Sequence, residues 1–239
     1  MTTHLRKEPG RYDVSDLVEA QFEPGSRRRV LKNLLGIKPK REMDRVEARE
    51  QLQVLRELIK ICGKNHRFTV GDICRIHKVW LGNIYPWAGK YRQVNMAKEE
   101  FMFAAANQIP RLMEELETGP LREFTPCRFD QIEKIARALA VVHTELVLIH
   151  PFRDGNGRVA RLLATLMALQ GGLPPLDFSG LKGRKRKEYF TPVKMGLDRD
   201  YKAMEAIFND VILKSLRKRE VQKVCQISIK SFLFPQNRN

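Results

Sequence analysis

The sequence predicts an all-α bundle that carries one small β-hairpin. Apolar residues recur at helical spacing through most of the chain, one segment is apolar nearly all round, and a single stretch alternates about a polar turn.

Met43 to Gly63 is highly charged, yet Val46, Leu52, Val54, Leu55, Leu58 and Ile59 form one stripe, so a helix is expected there. Thr69 or Asp72 offers an N-cap for the next helix, which runs to about Trp80. The hairpin is expected in Tyr91 to Phe103, where Tyr91, Val94, Phe101 and Phe103 flank a turn around Lys98 to Glu100. Asn107 to Leu116 reads as a short amphipathic helix. Phe129 to Ile149 reads as a long one with Ile132, Ile135, Ala136, Leu139, Val142, Leu146 and Ile149 on one face. Val159 to Leu169 has no polar face, the mark of a central buried helix, and Gly171, Gly172, Pro174 and Pro175 stop it.

At 239 residues and 43% hydrophobic content the chain suits one substantial globular domain with appendages. Its longest apolar stretches, Ala138 to Ile149 and Val159 to Leu169, are interrupted by polar residues and fall short of a membrane span. Met1 to Asp13 lacks the apolar core of a secretory signal, so a cytoplasmic location is expected and no membrane partner. Cys62, Cys74, Cys127 and Cys225 form no C-x-x-C pair, which points to reduced thiols rather than a zinc site or disulfide framework. A formal charge of +16 calls for an anionic partner: nucleic acid, an acidic protein, a membrane surface or a phosphorylated small molecule. The basic clusters at Arg27 to Arg29, Lys38 to Arg41, Arg184 to Lys187 and Arg217 to Arg219 contain almost no aromatic residues, which argues against nucleic acid.

The chemistry is concentrated between the two best helices, in His150-Pro151-Phe152-Arg153-Asp154-Gly155-Asn156-Gly157-Arg158, with Arg161 one turn on. A glycine loop opening onto a helix N-terminus gathers free N–H groups and the positive end of the helix dipole, which makes an anion site. Gly155 and Gly157 leave room for a phosphate and permit unusual backbone angles. Arg158 and Arg161, on one helical turn, can reach successive phosphates with forked donors. Asp154 is a hard oxygen ligand suited to a Mg²⁺ ion that bridges phosphate oxygens. His150, a base whose ordinary pKa lies near neutrality, can take a proton from an attacking hydroxyl. Together these are the parts that transfer of a phosphate-containing group requires. Gly155 to Ala160 also fits G-x-G-x-x-G/A, with Asp177 20 residues past Gly157. The segment before it has helical period and no strand precedes Asp177, so a dinucleotide fold is rejected.

The twelve residues HPFRDGNGRVAR match the pattern H-x-F-x-[D/E]-G-N-G-R-x-x-R of the Fic family at every defined position. Tyr85 to Gly89, with the hairpin after it, resembles that family's flap, and Val30 to Ile37 resembles the start of many Fic domains. The likeness divides the chain into an N-terminal segment 1–23, a Fic domain 24–212 and a basic C-terminal tail 213–239. It implies a Fic-type bundle with the hairpin beside the active-site loop, and a protein adenylyltransferase that moves AMP from ATP to a Tyr, Thr or Ser hydroxyl. By resemblance His150 is the base, Asp154 holds Mg²⁺, and Asn156 with the amides of Gly155 and Gly157 holds the α-phosphate region. Arg158 and Arg161 grip the outer phosphates, while Phe152 belongs to the core. The flap residues Gln93, Val94, Asn95, Met96, Ala97 and Lys98 would pair with the protein substrate by strand addition. Gly157, where the related Doc kinases carry Lys, points to AMP transfer rather than γ-phosphate transfer. Arg186, Tyr189 and Asp200-Tyr201 resemble elements that close the nucleotide pocket.

Ser15-Asp16-Leu17-Val18-Glu19-Ala20 resembles the family's inhibitory pattern [S/T]-x-x-x-E-[G/N], apart from Ala20. It implies a Glu19 that occupies Arg161 and restrains the enzyme. A separate inhibitory protein and a homo-oligomer stay open. So do another nucleotide or phosphate donor, and a silent regulatory or nucleic-acid-binding protein. The target, the modified residue type and the base specificity are not readable in these residues.

Overall fold

In the computed structural model, residues 17–61, 63–181 and 189–233 are described. A 3₁₀ turn, Val18–Ala20, opens the described chain, and Phe22 then pairs with Leu31 in an isolated antiparallel bridge. Among the described residues one hairpin and these longer helices follow: α1 (Lys40–Ile61), α2 (Val70–Leu81), β1 (Ala97–Lys98), β2 (Phe101–Met102), α3 (Ile109–Leu116), α4 (Ile132–Ile149), α5 (Asn156–Gln170), α6 (Phe190–Met195) and α7 (Lys202–Leu233). The all-α class with one small hairpin is what the sequence predicted. A π-turn, Glu117–Leu121, and the short helix Arg122–Phe124 extend α3. Helix α7 runs without a break across residues 212 and 213.

Helix α2 begins where Thr69 and Asp72 form a reciprocal capping box: Asp72 N–H donates to Thr69 Oγ1 at 3.2 Å and Thr69 N–H to Asp72 Oδ2 at 2.9 Å. His66 adds a contact of 2.9 Å to the same carboxylate oxygen. Both residues proposed as the cap therefore serve, one at each end of the box. The helix buries Ile73, Ile76, His77, Trp80 and Leu81, and the last turn carries Trp80 toward the loop that follows α4.

Helices α4 and α5 form the centre. Most of α4 is buried, and it packs on both α5 and α7. Helix α5 is buried on almost every side, from Val159 to Ala168, because an apolar surface that wide can be removed from water only inside a bundle. Its start is fixed by Gly155, at φ 84°. A β-carbon at Gly155 would lie 2.8 Å from the Trp80 ring, so the position requires glycine for its angle and for its packing. The hairpin pairs Ala97 with Met102 and Lys98 with Phe101 in an antiparallel register, and Glu99 takes the left-handed conformation in the turn at φ 54°. Phe101 and Phe103 meet Phe190 of α6 edge-on, at ring separations of 5.4 and 6.2 Å. The flap thus rests on α6 on one side and on the end of α4 on the other.

The capping box yields a prediction. Thr69→Ala removes one member and should lower stability by about 1 kcal/mol, read as a lower denaturation midpoint with an unchanged denaturant slope.

Candidate active site

Helix α4 ends on His150, which takes the left-handed conformation at φ 53°, ψ 57° and donates its N–H to Leu146 O at 3.1 Å. That reversal points the chain back toward the flap. The imidazole Nδ1 lies 3.1 Å from Val147 O, and a carbonyl can only accept, so Nδ1 carries the ring proton and Nε2 keeps its lone pair. Phe103 stacks on the ring at 3.7 Å. Burial lowers the His150 pKa to about 4, reinforced by the charges of Arg92 and Lys98 and opposed by the Val147 bond and Asp154. The near-neutral value expected from sequence is corrected downward, since an exposed imidazole is the wrong reference for a ring under Phe103.

The loop between α4 and α5 is held from within. Asn156, 2% exposed, accepts from Phe152 N–H at 2.8 Å and donates to Phe152 O at 2.7 Å. Its side chain is therefore a brace for the loop, set in the wall of the cleft. Phe152 is fully buried and stacks on His77 at 3.9 Å, the core role expected of it. Gly89 N–H donates to His77 Nδ1 at 2.7 Å, which forces the proton onto Nε2, and that N–H donates to Asp154 O at 3.0 Å. Gly157 has ordinary helical angles and lies within the first turn of α5, so only Gly155 uses the conformational freedom expected of both. The first-turn N–H groups of Asn156 and Gly157 are donors that the helix itself cannot satisfy.

A cleft of about 1120 Å³ opens over this loop, with His150, Asp154, Arg158, Arg161, Tyr189 and the flap residue Lys98 in its wall. Met96, Ala97, Gly155, Asn156 and Gly157 also face it. Arg158 has an internal carboxylate partner. It bonds to Glu47, from α1 and 1% exposed, and contacts Asp154 Oδ1 at 3.2 Å. Its guanidinium carbon lies 4.6 Å from the centre of the Trp80 ring. Glu47 in turn accepts from Tyr85 Oη at 2.8 Å, and its main-chain carbonyl accepts from Trp80 Nε1 at 2.9 Å. The Tyr189 hydroxyl contacts His143 and stands with Arg161 in the wall of the cleft. Asp154 accepts from Gly155 N–H at 2.6 Å, and its side chain remains 42% exposed.

Three expectations are changed or fall elsewhere. Glu19 does not pair with Arg161: its Oε1 accepts from Gln93 N–H at 2.7 Å and Val94 N–H at 3.1 Å, because the chain between it and the Phe22–Leu31 bridge lays it against the flap. Tyr201 donates to Glu145 at 2.5 Å and Asp200 accepts from Lys202 N–H at 3.1 Å, so this pair caps α7 and ties it to α4 rather than closing the nucleotide pocket. Ser15 and Arg186 lie outside the described residues.

Residues 67–168 match the model described as the Fic/DOC family. Over those residues the chain is similar to the Fic/DOC family. Over 128 residues it is 34% identical to the protein adenylyltransferase fic-1 of Caenorhabditis briggsae, covering 53% of this chain and 24% of that relative. Over 145 residues it is 35% identical to the protein adenylyltransferase VbhT of Bartonella schoenbuchensis, covering 60% and 30%. The chain thus spans less than a third of the length of these curated relatives, 24% and 30%. Among solved structures, the N-terminal Fic domain of a putative cell filamentation protein from Bartonella quintana superposes with a TM-score of 0.61 at 26% identity, over 81% of this chain and 93% of that one. BepC of Bartonella tribocorum, solved with AMPPNP bound, does so at 0.64 and 20% identity, over 82% and 97%, which establishes the shared fold.

Three residues of this site escaped the sequence reading. Glu47 shares a helical face with Met43, Val54 and Leu58, and a carboxylate within that buried stripe was the available signal. His77 lies likewise among Ile73, Ile76, Trp80 and Leu81. Arg92, 1% exposed, stands in a loop with no periodicity to mark it.

The buried histidines predict how the domain responds to acid. Burial lowers His77 to about 4 and His143 to about 3, as it does His150 to about 4. Below about pH 6.5 the unfolded chain binds protons that the folded chain refuses, so stability falls with pH through that window and is independent of these groups above pH 7.5. Thermal melts should show a clear drop in midpoint from pH 7.5 to pH 5. Equal midpoints would mean that these rings protonate in place.

Proposed function

We propose that this chain is a protein adenylyltransferase, which transfers AMP from ATP to the hydroxyl of a Tyr, Thr or Ser in a protein substrate. The observation that carries the reading is the His150 tautomer: a proton committed to Val147 O leaves Nε2 as an acceptor in a cleft that also holds an anion site. The names of the relatives, protein adenylyltransferases, support the same chemistry.

In this reading the substrate hydroxyl gives its proton to His150 Nε2 as its oxygen attacks the α-phosphorus of ATP. The bond from the α-phosphorus to the bridging oxygen breaks, and diphosphate leaves. The low pKa of His150 keeps the ring unprotonated at pH 7, so the base is always available. The first-turn amides of α5 face the phosphates together with the helix dipole, and Arg158 and Arg161 offer charge to the outer ones. Glu47 holds one edge of Arg158, which fixes the plane of its fork before ATP arrives. Asp154 would hold a Mg²⁺ ion: its carboxylate is a hard oxygen donor, 42% exposed, in the wall of the cleft. Bound there, Mg²⁺ would supply positive charge to offset that developing on the phosphate oxygens.

The test is incubation of the purified chain with Mg²⁺, a cell lysate and ATP labelled at the α- or the γ-phosphate. Protein should be labelled from α-labelled ATP only; label arriving from the γ-position alone would establish phosphoryl transfer instead. His150→Ala should lower transfer by about 10² to 10⁴ while ATP affinity, measured by calorimetry, stays close to wild type. Transfer at the wild-type rate would remove His150 as the base.

A further inference from the structure

The flap needs an anchor outside itself. Two strands of two residues each make a hairpin too small to hold its own position in water, and Met102 at its tip is exposed. Two buried side chains supply the anchor.

Arg92 is the first. Its Nε donates to His150 O at 2.7 Å, one terminal nitrogen to Val94 O at 2.7 Å, and the other to Ala104 O at 2.5 Å and Ile149 O at 3.4 Å. Its main-chain N–H donates to Pro151 O at 2.8 Å. Val94 precedes the first strand of the flap and Ala104 follows the second, whereas Ile149 to Pro151 are the end of α4 at the base. A single guanidinium thus fastens both limbs of the hairpin to the backbone of His150. A cation is favoured there because those carbonyls form the negative end of α4.

Glu19 is the second. Its carboxylate, on a residue 7% exposed, accepts from Gln93 and Val94 N–H, just ahead of β1. Its main-chain carbonyl accepts from Arg153 Nε at 2.8 Å, on the active-site loop. Its charge also favours the buried cation of Arg92. One residue of the N-terminal segment therefore joins the flap to the loop that carries His150.

We propose that Glu19 and Arg92 form a brace that sets the distance between the flap edge and His150 Nε2, and that Glu19 is a positioning residue for the protein substrate. With Gln93 and Val94 N–H already satisfied by Glu19, the backbone groups open to an added strand begin at Asn95. The target strand is placed from there, and its hydroxyl is delivered to a base fixed by the same brace. A displacement of about 1 Å at this point can cost roughly 10² in rate. The role as a substrate-positioning device rests on the proposed transfer to a protein hydroxyl. The brace itself is read without it.

Two full-length variants and two readouts decide the matter. Glu19→Ala removes the acceptor, and Glu19→Gln keeps a side-chain carbonyl in its place. Hydrogen exchange across 93–104 should accelerate roughly tenfold in Glu19→Ala, because two N–H groups at the root of the flap lose their partner, and Glu19→Gln should restore most of the protection. Lysate labelling from α-labelled ATP should fall in Glu19→Ala, with ATP affinity within about twofold of wild type, and recover in Glu19→Gln. Unchanged flap exchange in Glu19→Ala would overturn the brace. Increased labelling in Glu19→Ala would overturn the positioning role and make Glu19 a restraint. If the wild type labels nothing, the adenylyltransferase reading fails, and the exchange measurement still decides whether the brace exists.

Discussion

Six residues that join two buried helices must find partners for their backbone polar groups with little help from water, and the rest of this structure depends on that constraint. Between His150 and Gly155 each solution draws in a different part of the chain. Asn156 closes on Phe152, His77 reaches Asp154 O from α2, and Arg92 reaches His150 O, Ile149 O and Pro151 O from the root of the flap. An unsatisfied buried carbonyl or N–H costs enough that none of these partners is optional. The loop's rigidity follows from satisfied hydrogen bonds on both sides of it.

The same constraint links chemistry to recognition. A ring proton committed to Val147 defines which imidazole nitrogen faces the cleft, and the stacking of Phe103 places a flap residue against that ring. Position of the flap and position of the base are thus one property of the fold. On the opposite wall, Glu47 and Trp80 hold Arg158 by charge and by ring face, and Tyr189 stands with Arg161 in the cleft. The net charge of +16 has little to do with this arrangement. What matters locally is that Arg158 is held in the cleft wall by Glu47 and the Trp80 ring, and a side chain already held loses less entropy when it takes up a partner.

Helix α2 shows how local rules and tertiary packing divide the work. Its capping box is a matter of four consecutive residues and could be read directly. The consequence of its length could not: twelve residues bring Trp80 under Gly155 and His77 under Phe152, so a helix far from the motif in sequence becomes the floor of the site. Burial then strips His77, His143 and His150 of their ordinary basicity, a property of depth that no residue type reveals.

The helices, the hairpin and the loop from His150 to Arg161 were legible because each rests on short-range patterns: apolar spacing, turn residues, and glycines beside a helix start. The sequence by itself determined the fold class and the set of side chains that this loop brings together. Tertiary structure alone decided which partners complete it. Asn156 stood out in the motif for its place beside a helix start, and only the fold shows its side chain closing on a carbonyl and an N–H four residues back. Glu19 looked like a partner for Arg161 and sits instead on Gln93 and Val94, 74 and 75 residues away. Glu47 and Arg92 were not singled out in the sequence and are among the most deeply buried polar side chains. Each depends on contacts between segments far apart in the chain, and a charged side chain has a partner in sequence only when that partner is a turn or two away; at longer range the packing of the helices chooses it.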